Sequence, residues 1–231
     1  MKALPRILLV TGHYGSGKTE FAVSLAIWAA EHGCFGCKKA AIADLDVVNP
    51  YFRSREREEL LQKHGVSVYG SFFGGNVTAE LPEISPAVRT PLEDKDTFTI
   101  VDAGGNEAGA RIVAQFKKYF TGPDFALLVV VNANRPETRD LDGALRHLAS
   151  IRDELGIEPA FLVSNTHLLR ETTAADILKG HALCLALSQK TGIPLLCDCY
   201  PAPLIGADEL SSIDGPLLPL GMYMRESWLD K

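Results

Sequence analysis

The chain has 231 residues, of which 46% are hydrophobic and 23% charged, with a formal net charge of -6 and a mean hydropathy of +0.05. That length suits one large domain at a prior of roughly 150 residues per domain, and the composition excludes wholesale disorder, collagen and coiled coil. Lys and Arg number 23 against 29 Asp and Glu, which disfavours a nucleic-acid partner, since a phosphate backbone calls for a cationic surface.

Residues 1–5 carry no long apolar core ahead of a small-residue cleavage site, so no secretion signal is expected. From there strand-like and helix-like segments alternate: a strand at 6–10, a helix at 19–32, a strand at 39–43, a helix at 52–64. Residues 70–91, rich in glycine and proline and without a period, predict a long loop suited to a lid or partner surface. A strand at 97–101, a helix at 107–119, a strand at 125–131, a helix at 138–155, a strand at 160–163, a helix at 173–191 and a strand at 193–197 complete the series. Glycine follows four of the helices at once, at Gly33, Gly65, Gly156 and Gly192, where it supplies a left-handed cap. Several strands are continuous apolar runs, the signature of strands covered on both faces, which predicts a parallel sheet. The most apolar run, 125–131, ends between Asp124 and Asn132, far short of the roughly 20 residues that span a bilayer. One soluble, cytoplasmic domain over 1–231 is expected. The five cysteines, an odd number, suit a reducing compartment.

The chemistry concentrates first in Gly12-His13-Tyr14-Gly15-Ser16-Gly17-Lys18-Thr19, which matches G-x-x-x-x-G-K-[ST] and sits between an apolar strand and a helix, as a phosphate-binding loop must. Its glycines let backbone N–H groups curl round phosphate oxygens, Lys18 reaches the β and γ phosphates, and the Thr19 hydroxyl ligates Mg²⁺. Gly12 through Thr19, with Glu20 opening the helix, is the candidate nucleotide-binding segment. The strand ending in Asp102, followed by Ala103, Gly104 and Gly105, has the form of a Walker B and switch arrangement: the carboxylate stands beside Mg²⁺ and Gly104 or Gly105 senses the γ-phosphate. At the end of the second strand, Asp44 and Asp46 precede Asn49, Pro50, Arg53 and Arg55. Ligands of open parallel sheets bind outside the carboxyl ends of the strands, so one carboxylate there can orient Mg²⁺ and the other a nucleophile. The plainer alternative is that Asp46 and Asn49 cap a turn.

The three segments resemble, in order and spacing, the SIMIBI class of P-loop nucleotidases, and over roughly residues 5–200 the chain is similar to its MinD/ParA branch, which includes nickel-inserting and cobyrinate-type ATPases. The run from Asp44 to Arg55 resembles a group of bacterial ATP-binding proteins in that branch. The resemblance implies a three-layer α/β/α P-loop NTPase fold with a mostly parallel central sheet. It implies ATP and Mg²⁺ as cofactors, Asp46 as the carboxylate that activates the attacking water, and Asp44 and Asp102 as Mg²⁺ holders through water. It also implies a homodimer bordering the nucleotide. One departure matters. The branch places a signature lysine five positions before the loop lysine, and His13 stands there, followed by Tyr14 in place of glycine. Either His13, Arg53, Arg55 or Arg111 replaces that charge, or no such closure occurs; a His13 hydrogen-bonded within the loop is the other reading.

Asn165 ends a late strand where guanine-specific relatives carry N-K-x-D, but the lysine and the aspartate are absent, which favours adenine. The segment 199–203 offers a second wall for a base pocket. Cys34 and Cys37, and Cys197 and Cys199, fall after a helix and after a strand, on opposite rims of the sheet, and so are expected to be structural rather than one metal site. Two functions compete: a nucleotide-driven ATPase switch acting on a protein partner, with metalloenzyme maturation as the process the resemblance suggests, and an ATP-dependent small-molecule kinase or synthetase. A non-hydrolysing binding module is a third.

Overall fold

The computed structural model describes residues 4–46, 57–70, 86–105 and 107–224, with backbone alone at 107 and 108. Strand β1 (Ile7–Gly12) turns through residues 13–17 into helix α1 (Lys18–His32). There follow β2 (Lys39–Asp44), α2 (Glu58–Lys63), β3 (Val66–Gly70), α3 (Arg89–Glu93), β4 (Thr97–Asp102) and α4 (Glu107–Gln115). The later elements are β5 (Phe125–Val131), α5 (Leu141–Leu155), β6 (Phe161–Ser164), α6 (Ala174–Thr191), β7 (Leu195–Pro201) and β8 (Leu217–Leu220). The strands form one eight-stranded sheet in the order β3-β2-β4-β1-β5-β6-β7-β8, and every neighbouring pair is parallel.

Successive side chains of a strand point to opposite faces, and both faces here are apolar. Leu8 and Val10 of β1, with Leu128 and Val130 of β5, pack with Phe21 and Leu25 of α1 and Leu61 of α2. Ile7, Leu9, Leu127 and Val129 face the other way, against Leu92 of α3, Val113 of α4, Leu148 of α5 and Leu187 of α6. This double coverage is why β1 and β5 read as unbroken apolar runs, and it makes three layers. Asp140 caps α5 by accepting the Gly143 N–H at 2.9 Å, and Thr173 with Asp176 forms a reciprocal capping box on α6. Gly33, Gly156 and Gly192 take the expected left-handed cap.

The structure departs from the sequence reading at the sheet's edges. Strand β3 was not expected, because its five residues VSVYG carry no apolar run. Strand β8 contains Pro219, which cannot donate to a ladder and is tolerated because β8 is an edge. Strand β7 runs four residues beyond the expected 197, so Cys197 and Cys199 lie inside it, both buried on the α1 face with Cys34, and not after a strand on the opposite rim. Among the described residues no three Cys or His side chains come together as a metal-binding group. Of the loop expected at 70–91, residues 86–88 form a 3-10 turn and residues 89–91 open α3, with Pro91 in the first turn, where no intrahelical donor is lost. The remainder of that loop, residues 71–85, lies outside the described residues, as do Asn49, Arg53 and Arg55. No helix among the described residues is long and apolar enough to cross a membrane.

Helix α6 lies close to the end of β6. A Cβ on Gly180 would overlap the Thr166 side chain and come within 3.0 Å of Ser164 Oγ, and Thr166 Oγ1 already accepts the Ala133 N–H at 2.9 Å. Gly180→Ala should therefore destabilise the protein by about 1–3 kcal/mol through overpacking, seen as a lower urea midpoint with an unchanged slope.

Candidate functional site

Residues at or just after the C-terminal ends of β1, β2, β5, β6, β7 and β8 line one cavity. Its volume is about 530 Å³, within the roughly 300–1,000 Å³ usual for small-molecule sites. The floor is the turn after β1. Gly17, with φ 79°, is in the left-handed region, and a Cβ there would collide with the Asn165 amide and come within 2.8 Å of His167 Nε2. Gly105 meets the turn from the β4 side so closely that a Cβ would overlap the Gly12 carbonyl. Alanine is sterically barred at both positions.

Side chains from neighbouring strand ends bind the carbonyls of the turn. Asn165 donates to Ser16 O at 2.8 Å and Gly17 O at 3.4 Å, and Arg135 Nε donates to Gly15 O at 2.8 Å. Asn132 follows β5 and adds longer bonds to Gly15 O at 3.5 Å and His167 O at 3.3 Å. These bonds fix the carbonyls of a glycine-rich turn ahead of a helix, the kind of segment whose backbone N–H groups can receive an anion. Burial first, then the Arg135 guanidinium, bring His167 down to about 4, so the ring wedged against the turn is neutral at pH 7.

The charged groups stand at the sheet's centre. Asp44 and Asp102 end adjacent strands and are paired in register. Asp44 Oδ1 accepts the Asp46 N–H at 3.1 Å, which ties the two residues together after β2. All three carboxylates are buried, as are Lys18 and Thr19. Burial pulls the Lys18 ammonium below its ordinary value, opposed by Asp102 and Asp46, and Lys18 Nζ donates to the His13 carbonyl at 3.3 Å. The Thr19 hydroxyl stands beside the Asp102 carboxylate, which makes no other hydrogen bond among the described residues. Burial first, then Asp44 and Asp46, push Asp102 up to about 7. Asp44, Asp46 and Asp102 thus stand buried together with Lys18 at the sheet's centre.

The structure thus brings together Gly12, Gly15, Ser16, Gly17, Lys18, Thr19, Asp44, Asp46, Asp102, Gly104 and Asn165. His13 is turned elsewhere, whereas Glu20 lines the cavity with its carboxylate engaged by the backbone. His13 Nδ1 lies 2.9 Å from Tyr14 O and 3.6 Å from Glu137, and its ring packs edge-on against His147. It is therefore held on its own chain. The Glu20 carboxylate accepts backbone N–H groups at Tyr223 and Met224. Tyr14 projects from the turn, 71% exposed. Arg135 and Asn132 were missed by the sequence reading; their place directly after β5, at a strand's carboxyl end, was the available signal.

No protein-family model matches the chain, and no curated protein matches it. Solved structures share its fold. Chloroplast FtsY from Physcomitrella patens aligns with a TM-score of 0.53 at 17% identity, over 85% of this chain and 58% of that one. Signal recognition particle receptor FtsY from Elizabethkingia anophelis gives 0.53 at 19%, over 83% and 57%. Signal recognition particle 54 kDa protein from Aeropyrum pernix K1, in complex with GDP, gives 0.52 at 19%, over 84% and 41%. The chain thus spans less than two thirds of the length of these proteins. At such identities the likeness carries architecture alone, and that architecture is the three-layer P-loop NTPase fold.

Proposed function

We propose that this chain binds MgATP and hydrolyses it slowly, using its nucleotide state to alter its affinity for a protein partner, with a metalloenzyme under maturation as the partner class suggested by the MinD/ParA resemblance. The observation that carries the reading is Asp102, wholly buried at the end of β4 beside Asp44, with the Thr19 hydroxyl and Lys18 next to it. Such a group needs a cation. An all-oxygen set, the Thr19 hydroxyl with Asp44 and Asp102, suits hard Mg²⁺ and would hold it directly or through water. Bound there, Mg²⁺ neutralises charge on the β and γ phosphates.

The chain's own residues supply the remainder. Lys18 offers a desolvated ammonium to the same phosphates, and the turn's N–H groups orient them. Asp46, placed just after β2, orients the attacking water. Thr166 and Leu168 occupy the lysine and aspartate places of N-K-x-D, so no carboxylate there can pair with guanine, which supports adenine. The GDP in the Aeropyrum structure makes GTP the relevant competitor. A homodimer closing over the nucleotide would need a cation other than His13, whose ring is engaged within its own chain.

Lys18→Ala should weaken MgATP binding at least tenfold, about 1.4 kcal/mol, by calorimetry; in the same titrations of the parent protein, GTP should displace ATP poorly, and GTP winning would replace the ATP reading with a GTP one. Asp46→Asn should retain ATP binding while turnover falls by a factor of roughly a hundred or more, because positioning water acts in the transition state; turnover at the parental rate would remove Asp46 from that role. Without Mg²⁺, the native state keeps a proton on Asp102 that the unfolded chain releases above pH 3.8. Stability should therefore fall as pH rises from that value towards about 7. Asp102→Asn should flatten that fall and raise the thermal midpoint at neutral pH without Mg²⁺, while abolishing stabilisation by MgATP; superimposable pH profiles would contradict it.

A further inference from the structure

One wall of the cavity comes from the end of β8 and the strap that follows it, residues 220–224, where Leu220 and Met222 line the space with Pro201. The strap is tied to the first turn of α1. Glu20 Oε1 accepts the Tyr223 N–H at 3.0 Å and Oε2 the Met224 N–H at 2.8 Å. One turn on, Ser24 Oγ donates to Glu20 Oε1 at 3.0 Å and accepts the Gly221 N–H at 3.2 Å. Between these anchors Met222 takes a left-handed φ of 56°, a conformation a non-glycine residue keeps only when its flanks hold it. The anchors also explain why an acidic residue follows the Lys18-Thr19 pair: its charge is met by two backbone donors and kept out of the phosphate cradle.

We propose that Glu20 is a positioning residue that clamps the strap so that Met222 and Leu220 form the face on which the purine of the nucleotide stacks. This rests on the nucleotide reading and deepens it. The phosphate cradle and the base wall then hang on successive residues of one helix turn, Lys18 and Thr19 for the first and Glu20 for the second. A thioether and aliphatic carbons beside Pro201 gain most from a broad planar ring. Base affinity therefore comes from the strap, and phosphate affinity from the turn.

The test is calorimetric titration of the parent, Glu20→Ala and Met222→Ala proteins with MgATP and with magnesium tripolyphosphate, which has the phosphates and no base. Both variants should lose at least fivefold in affinity for MgATP and less than twofold for tripolyphosphate. Met222→Ala keeps the clamp intact, so a poorly folded Glu20→Ala protein does not decide the outcome alone. Equal losses for the two ligands, or MgATP affinity unchanged in both variants, would overturn the proposal while leaving the nucleotide site standing. A parent protein that binds neither ligand would overturn the nucleotide reading and this proposal with it.

Discussion

A turn that aims its N–H groups at an anion must point its carbonyls into the protein, and each buried carbonyl needs a donor. Here Asn165, Arg135 and Asn132 supply those donors from the ends of β5 and β6. Everything in the site depends on this. The register of β1 with β5 sets the height of the turn against residues 132–135, and the pairing of β5 with β6 brings Asn165 beneath it. The close packing at Gly180 then holds the segment after β6 against α6.

The second constraint is charge. The parallel pairing of β2 with β4 sets Asp44 beside Asp102, and the hydrogen bond after β2 adds Asp46. Burying carboxylates together is unfavourable unless a cation or proton relieves it. The rise of Asp102 to about 7 is the protonic form of that relief.

The periphery obeys different rules. Strands β3 and β8 are edges and need not be apolar throughout, so neither shows the unbroken run that marks β1 and β5. Yet β8 matters to the site, because it carries Leu220 and Met222 to the cavity wall and is tied to α1 through Glu20 and Ser24. The cysteines show a related effect: Cys197 and Cys199, two apart on β7, share one buried face, and burial pushes the Cys199 thiol well up. Their spacing is that of a strand and not of a metal site.

Local sequence determined the central strands, the helices with their glycine ends, and the phosphate-binding turn, because each depends on near neighbours: apolar runs, capping residues, and glycines where φ is positive. It also determined that Asp44, Asp46 and Asp102 stand at strand ends. Tertiary structure alone decided what those residues meet. That Arg135 holds Gly15, that His13 turns to Glu137 and His147, and that Glu20 accepts from the strap are contacts between segments distant in the chain. No local period or motif encodes such pairings; they follow from strand order and register, which fix which chain ends lie side by side.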